Sequence, residues 1–416
     1  MGALVAGAVA FRSEAMIVVF LLGLLCAHQD NRPVWAALAL FLGALTKETA
    51  WLLAPLMIVA LELTGCALPR PLRLPRASQL RACLARVRSK RSLFLAEAGA
   101  FGVASCLRYS YAPPWRAHQL PLNVDTALGT RLAGLAKSAL RLAWPFDGSI
   151  CDAFPVTEVM SVTALIGALV LAGVLLLGLR QRVGLLFALS LLPSLQLIPI
   201  MRWWSPHYLY IPLAFAVMLI ARALVRWRRA GALVGASMVL ILAAVSFNQG
   251  YRYQSDKKLW EPEVRENPRC REGQFFLGEI ARSAGDWGEA RTRYQHALAV
   301  SPTTLAYADE LAALQNLGAA QMALGETSQA RAVWSEALQR AGTDRQARYI
   351  THNLAALELE AGHPALAARL LEEESQRQDA LAESLLIRAR ALKSLGRDGE
   401  AWPLVKRLSH RATGAR

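Results

Sequence analysis

Apolar positions follow two different patterns along this chain. Through residue 249 they come in dense blocks of Leu, Ala and Val broken by short polar stretches. From residue 250 onward they recur at helical spacing among Glu, Arg, Gln and Ala, and no run approaches membrane length. Blocks predict helices buried or in lipid all round, whereas spaced positions predict amphipathic helices with one buried face. The expected fold class is all-α. A multi-pass helical membrane domain over 1–249 leads into a linker at 250–270 and then a helical repeat domain at 271–416.

The blocks predict about eight spans: Ala15–Ala27, Val34–Thr46, Ala50–Thr64, Leu93–Tyr109, Val159–Leu179, Val183–Ile200, Tyr208–Val225 and Ala230–Phe247. The stretch Pro33 to Gly65 is 33 residues long, too much for one span of about 20. Thr46-Lys47-Glu48-Thr49 breaks it, and two short spans meeting at one membrane face are expected there. A charged pair so placed usually faces a protein interior or a wet cavity. An interfacial salt bridge without chemistry is the simpler alternative.

Charge supplies the orientation. The net charge is +15, but much of the excess sits in short loops between apolar blocks, which argues against nucleic acid as a partner. The stretch 65–92 carries Arg70, Arg73, Arg76, Arg81, Arg86, Arg88, Lys90 and Arg91 and no acid. Placed in the cytoplasm, it also puts Gln29–Arg32, Arg180–Arg182 and Arg226–Arg229 inside, as the positive-inside rule requires. Arg12, Glu14, Lys47, Glu48 and the repeats then lie outside the cytoplasm. The Ala/Arg-rich composition suggests a bacterial inner membrane. The cysteines form no metal-spaced set, so no metal is expected; free thiols are, with a Cys151–Cys270 bridge as the alternative. No cofactor is expected either.

Two external stretches carry candidate chemistry. Over Leu128–Ala143, Leu128, Leu132, Leu135, Ala139 and Leu142 share one face, and Thr130, Lys137 and Arg141 the opposite one. This predicts a helix lying on the outer membrane surface, ended by Trp144-Pro145. Its cations would meet a lipid-linked phosphate or lipid headgroups in general. The turn Met201–His207 holds paired tryptophans suited to the interface, and His207 is a candidate proton carrier or phosphate contact.

The second half repeats. Leu277, Gly278, Gly285, Ala290, Tyr294, Ala297 and Pro302 define one unit, and Leu317, Gly318, Gly325, Ala330, Trp334 and Ala337 a second. Weaker copies hold Leu354, Gly362, Ala367 and Leu371, then Gly396 and Ala401. The turn glycines are 40, 37 and 34 residues apart, close to the 34-residue period of tetratricopeptide repeats. An α-solenoid with a protein or peptide on its concave face is expected, led by an incomplete repeat from Leu259-Trp260 to Pro268.

Four short stretches then carry a family resemblance. They are Phe11-Arg12-Ser13-Glu14, Leu45-Thr46-Lys47-Glu48-Thr49, Leu142-Ala143-Trp144-Pro145, and Pro206-His207-Tyr208-Leu209-Tyr210-Ile211-Pro212. Their order, with the repeats behind them, resembles the transmembrane-and-tetratricopeptide-repeat O-mannosyltransferases of the GT-C glycosyltransferase superfamily. His207 stands where that family has arginine. The family also has earlier spans with a catalytic carboxylate, and this sequence starts after them, so no base is carried over. The resemblance implies transfer of a mannose-like sugar from a polyprenyl-phosphate donor to protein hydroxyls. It implies substrate- or phosphate-binding roles for Arg12, Glu14, Lys47, Glu48, Lys137, Arg141, His207, Tyr208 and Tyr210. Asp147 and Asp152 are lesser candidates. A non-catalytic, membrane-anchored repeat scaffold is the alternative, while the absence of an inverted-repeat pattern disfavours a transporter.

Overall fold

The computed structural model describes residues 2–47, 49–65, 81, 85–111, 122–144, 146, 149–196, 202–342 and 345–413. The chain is all-α apart from one two-residue strand pair. It forms two compact units: 1–259 with 301–307, and 260–300 with 308–416.

The first unit begins with α1 (Gly2–Gln29), α2 (Pro33–Thr46), α3 (Thr49–Gly65) and α4 (Arg91–Tyr111). The break between α2 and α3 falls at Lys47, which is extended at φ −157° and ψ 146°. The unit continues with α5 (Val124–Ala143), β1 (Phe154–Pro155), α6 (Val162–Arg180), α7 (Arg182–Ser190), α8 (Tyr210–Leu224) and α9 (Arg228–Gly250). One core joins α1, α2 and α3 to parts of α4, α7 and α8 through Ile17, Leu21, Leu40, Leu53, Met57, Leu93, Leu186 and Phe215. A second packs α5 against β1 and the turns between α7 and α8 through Leu135, Phe154, Leu191, Trp204 and Leu209.

Among the described residues, two helical stretches are long and apolar enough to cross a membrane, Val162–Arg180 and Pro206–Gln254; α8 and α9 make up most of the second. Both keep their apolar side chains on the outside, with Leu169 73% and Phe247 89% exposed. Ala15–Gln29, Pro33–Thr46 and Thr49–Thr64 are shorter apolar helices.

Two expectations are corrected. Val183–Ile200 is not one helix. It stops at Ser190, where Leu192-Pro193 opens a 3-10 turn and Gln196 takes a left-handed conformation at φ 50°. Proline within that turn removes the backbone donor a continuing helix would use. Within 128–143 one position is corrected: Thr130, expected on the polar face, is buried, and so is Leu135 of the apolar face. The helix starts at Val124, capped by the Asn123 side chain accepting from the Thr126 amide, and buries Gly129, Thr130, Ala133, Gly134 and Ser138. Leu128 and Leu140 face outward at 48% and 65% exposure. The small residues decide this. A Cβ on Gly129 would lie 2.3 Å from the Thr157 carbonyl oxygen, and one on Gly167 of α6 only 1.9 Å from that of Leu132. Backbones this close need the small face inward, which is how helices pack in lipid.

The second unit opens with α10 (Asp256–Glu266), of which residues 260–266 belong to it. It continues through α11 (Arg271–Ser283), α12 (Trp287–Leu298), α13 (Glu310–Ala323), α14 (Thr327–Ala341), α15 (Arg345–Glu360), α16 (Pro364–Leu370), α17 (Glu372–Gln376), α18 (Ala382–Ser394) and α19 (Asp398–Thr413). Gly285, Gly325, Gly362 and Gly396 sit in the turns of successive helical hairpins at φ between 72° and 80°, which side chains disfavour. Gly278 lies under the Tyr294 ring and Gly318 under Trp334, so each aromatic fills the space its glycine leaves. Arginine–glutamate pairs join successive hairpins: Arg271–Glu310 at 3.0 Å, Arg291–Glu326, and Arg331–Glu358 at 2.5 Å. Arg348–Glu374 follows at 2.7 Å.

Between α12 and α13 the chain leaves this unit. Its segment 301–307 packs as part of the first, where β2 (Thr304–Leu305) pairs antiparallel with β1, Phe154 opposite Leu305.

Candidate functional site

Lys47 is half-buried at the break between α2 and α3. Within electrostatic reach of its ammonium is His207, in the 3-10 turn Pro206–Leu209 that leads into α8. Arg202 reaches the same imidazole. Lys47, at the α2–α3 break, is therefore within electrostatic reach of the turn that carries Arg202 and His207.

The turn around His207 is held from several sides. Ser205 Oγ and His207 Nδ1 share a 2.5 Å hydrogen bond, and the Tyr208 ring meets the imidazole edge-on at 4.4 Å. The Tyr208 hydroxyl donates to the Arg202 carbonyl at 2.8 Å, and Gln196 Nε2 donates to the same oxygen at 2.9 Å. Both Tyr208 and Gln196 are buried, so the backbone around Arg202 is fixed while its guanidinium lies over the Tyr307 ring at 5.2 Å. Tyr307 belongs to the 301–307 segment, whose amide donates to buried Asp152 at 2.9 Å.

The α5 cations converge on the paired tryptophans. Trp204 is 1% exposed and donates from Nε1 to Ser138 Oγ at 3.1 Å. Lys137 Nζ stands 4.0 Å from its ring and 5.2 Å from Phe154, and the Arg141 guanidinium is 5.7 Å from it. Arg131 covers Trp203 at 5.6 Å. Cation–π contacts of this kind hold long side chains in place. The result is a cluster of positioned cationic side chains around Trp203 and Trp204.

Of the sequence candidates, Lys47 lies within electrostatic reach of His207, Tyr208 supports the turn, and Lys137 and Arg141 gather at Trp204. Tyr210 opens α8 at 38% exposure. Arg12 and Glu14 lie on α1, but their side chains, like all of Glu48, Pro145 and Asp147, fall outside the described residues. Sequence reasoning missed Arg131, Arg202 and Gln196 as members of the site. The Arg202-Trp203-Trp204 tripeptide was the available signal, a cation beside interfacial aromatics.

Among the described residues no group of His, Cys, Asp and Glu could hold a metal ion. Cys151 and Cys270 are both buried. No family model matches the chain, and no curated protein matches it.

Proposed function

We propose that this chain is an integral membrane protein of about eight spans carrying extracytoplasmic tetratricopeptide repeats. In this reading it binds a polyprenyl-phosphate-linked sugar as a GT-C-like glycosyltransferase does, for transfer to protein hydroxyls. The observation that carries it is the geometry at Trp203 and Trp204, where Lys137, Arg141 and Arg131 are held on the indoles, with Lys47 and Arg202 within electrostatic reach of His207 in the adjoining turn. A phosphate leaving group needs such preorganised cations where its charge develops. The exposed apolar faces of α6, α8 and α9 supply a lipid-facing exterior across which a polyprenyl tail would lie. The paired hairpins of the second unit, each with its turn glycine and small–aromatic contact, support the repeat assignment.

The test uses the full chain in lipid nanodiscs with polyprenyl-phosphate mannose as the probe. Saturable binding and label transfer to a Ser/Thr-rich peptide are expected. Lys47→Ala and Arg202→Ala should each weaken binding about tenfold, the loss of one charged hydrogen bond. Equal affinity of both variants and wild type would refute the phosphate site. Binding without transfer would favour the second reading, a non-catalytic repeat scaffold, which rests on the Arg–Glu pairs that join successive hairpins.

A further inference from the structure

His28 is wholly buried near the C-terminal end of α1. Its Nδ1 lies 2.7 Å from Glu97 Oε1 on α4, and its Nε2 lies 2.9 Å from Glu62 Oε1 on α3. Glu62 and Glu97 are 6% and 3% exposed. Glu62 also accepts from Lys90 Nζ at 2.7 Å and Arg86 Nε at 2.9 Å, and Lys90 reaches the His28 carbonyl oxygen at 3.4 Å. The Phe94 ring meets the imidazole edge-on at 5.5 Å. The sugar-transfer reading uses none of these groups.

Two short nitrogen–oxygen contacts flank one imidazole, and each needs a proton between its heavy atoms. A bare ring nitrogen and a carboxylate oxygen present lone pairs to each other and repel. A neutral imidazole supplies only one N–H. The second proton makes the ring an imidazolium or sits on a glutamate. Charge balance sets the count. Lys90 is 12% exposed, so one imidazolium and one ammonium offset two carboxylates among the buried groups. With one proton fewer, that set carries an uncompensated negative charge in a dry interior, which is costly. Arg86 is 40% exposed, and water screens its charge.

The two carboxyls are not equivalent. Glu62 has two cations on it, whereas Glu97 Oε2 is buried with no hydrogen-bond partner. The exchangeable proton therefore belongs to the His28–Glu97 contact. Among the described residues, other charges nearby do not compete. α2 is uncharged from Pro33 to Thr46, and Asp30, Arg32, Arg88, Arg91, Arg182 and Arg222 are all exposed.

We propose that His28 and Glu97, backed by Glu62 and Lys90, form a buried proton-binding site whose occupancy fastens α1 to α4. Bound, the proton bridges the two helices. Released, it leaves a lone pair facing a carboxylate at 2.7 Å, and the junction opens.

The full chain in nanodiscs, with its seven histidines nitrogen-15 labelled, tests the proton count. The His28 signal is assigned by its loss in His28→Gln or by its contact with the Phe94 ring. Near neutral pH, the expected result is an imidazolium signal from His28 or a protonated-carboxyl infrared band that disappears in Glu97→Gln. A neutral His28 ring with no such band overturns the site. Hydrogen exchange of the α1 end then tests the fastening. Raising the pH should speed wild-type exchange about tenfold beyond the intrinsic trend, the equivalent of one buried hydrogen bond. Glu97→Gln needs no second proton and should follow the intrinsic trend alone. Identical profiles in the two proteins overturn the coupling.

Discussion

In the first unit Leu169, Leu240 and Phe247 stand more than half exposed while His28, Glu62 and Glu97 are buried. In the second, Leu314, Tyr294, Ala297 and Ala330 are buried, and arginines pair with glutamates between hairpins at positions from buried Arg271 and Glu358 to half-buried Glu310 and Arg331. Both units are helical and rich in Leu and Ala, so composition does not separate them at this level. The solvent does. A helix in water gains by removing its apolar face from solvent. A helix in lipid gains nothing from doing so, and it associates through close backbone approach and satisfied polar groups. The Gly129–Thr157 and Gly167–Leu132 contacts and the His28 network are of that second kind.

Substitutions that exchange the two logics should break the contrast most sharply. His28→Leu removes the group between two buried carboxylates and should cost about 3–5 kcal/mol, because the remaining charges stay buried. Thermal unfolding in nanodiscs would show it, and an unchanged midpoint would mean that the network is not charged. Gly318→Ala in the second unit pushes a methyl against Trp334, an indole with its own hydrogen bond to the Gln315 carbonyl. Overpacking there should cost about 1–3 kcal/mol. Circular dichroism of the full chain on heating should show that loss as an earlier melting step.

Acid should sharpen the comparison. Burial pushes the Glu374 carboxyl up, but hydrogen bonds and charge from Arg348, with the Leu381 amide, hold it below the usual carboxylate range. Glu358 behaves alike: burial raises it, and Arg331 and His363 more than reverse that. A depressed carboxyl contributes stability that is complete above its unfolded value of about 4.3 and disappears as pH falls through the folded value. The second unit should therefore lose stability below about pH 4.5, and Arg348→Ala should reduce that acid dependence. A denaturation series from neutral to acid pH measures both. The smallest effect is expected at Arg293–Glu289, an i,i+4 pair whose glutamate is 44% exposed. Glu289→Ala should change stability by no more than about 0.5 kcal/mol. A larger value would mean that surface pairs hold the repeats together more than their packed glycines and aromatics do.

Much of the site's framework was legible in advance. The break at Lys47 followed from a charged residue inside an overlong apolar run. The hairpin turns followed from spaced glycines that adopt positive φ. The burial of Thr130 in α5 did not follow, since hydrophobic periodicity does not register where a neighbouring backbone approaches small residues closely. Arg131 and Gln196 escaped notice because their partners are distant in sequence.

Local pattern alone determined the helices, their breaks and the repeat spacing, because these depend on neighbours within a few positions. Only tertiary structure brought His28 to Glu97 across 69 residues and carried 301–307 out of the repeats to pair with Phe154. Neither contact has a short-range signature. A lone histidine in an apolar helix and a lone glutamate in another look like isolated costs until folding places them within one hydrogen bond of each other.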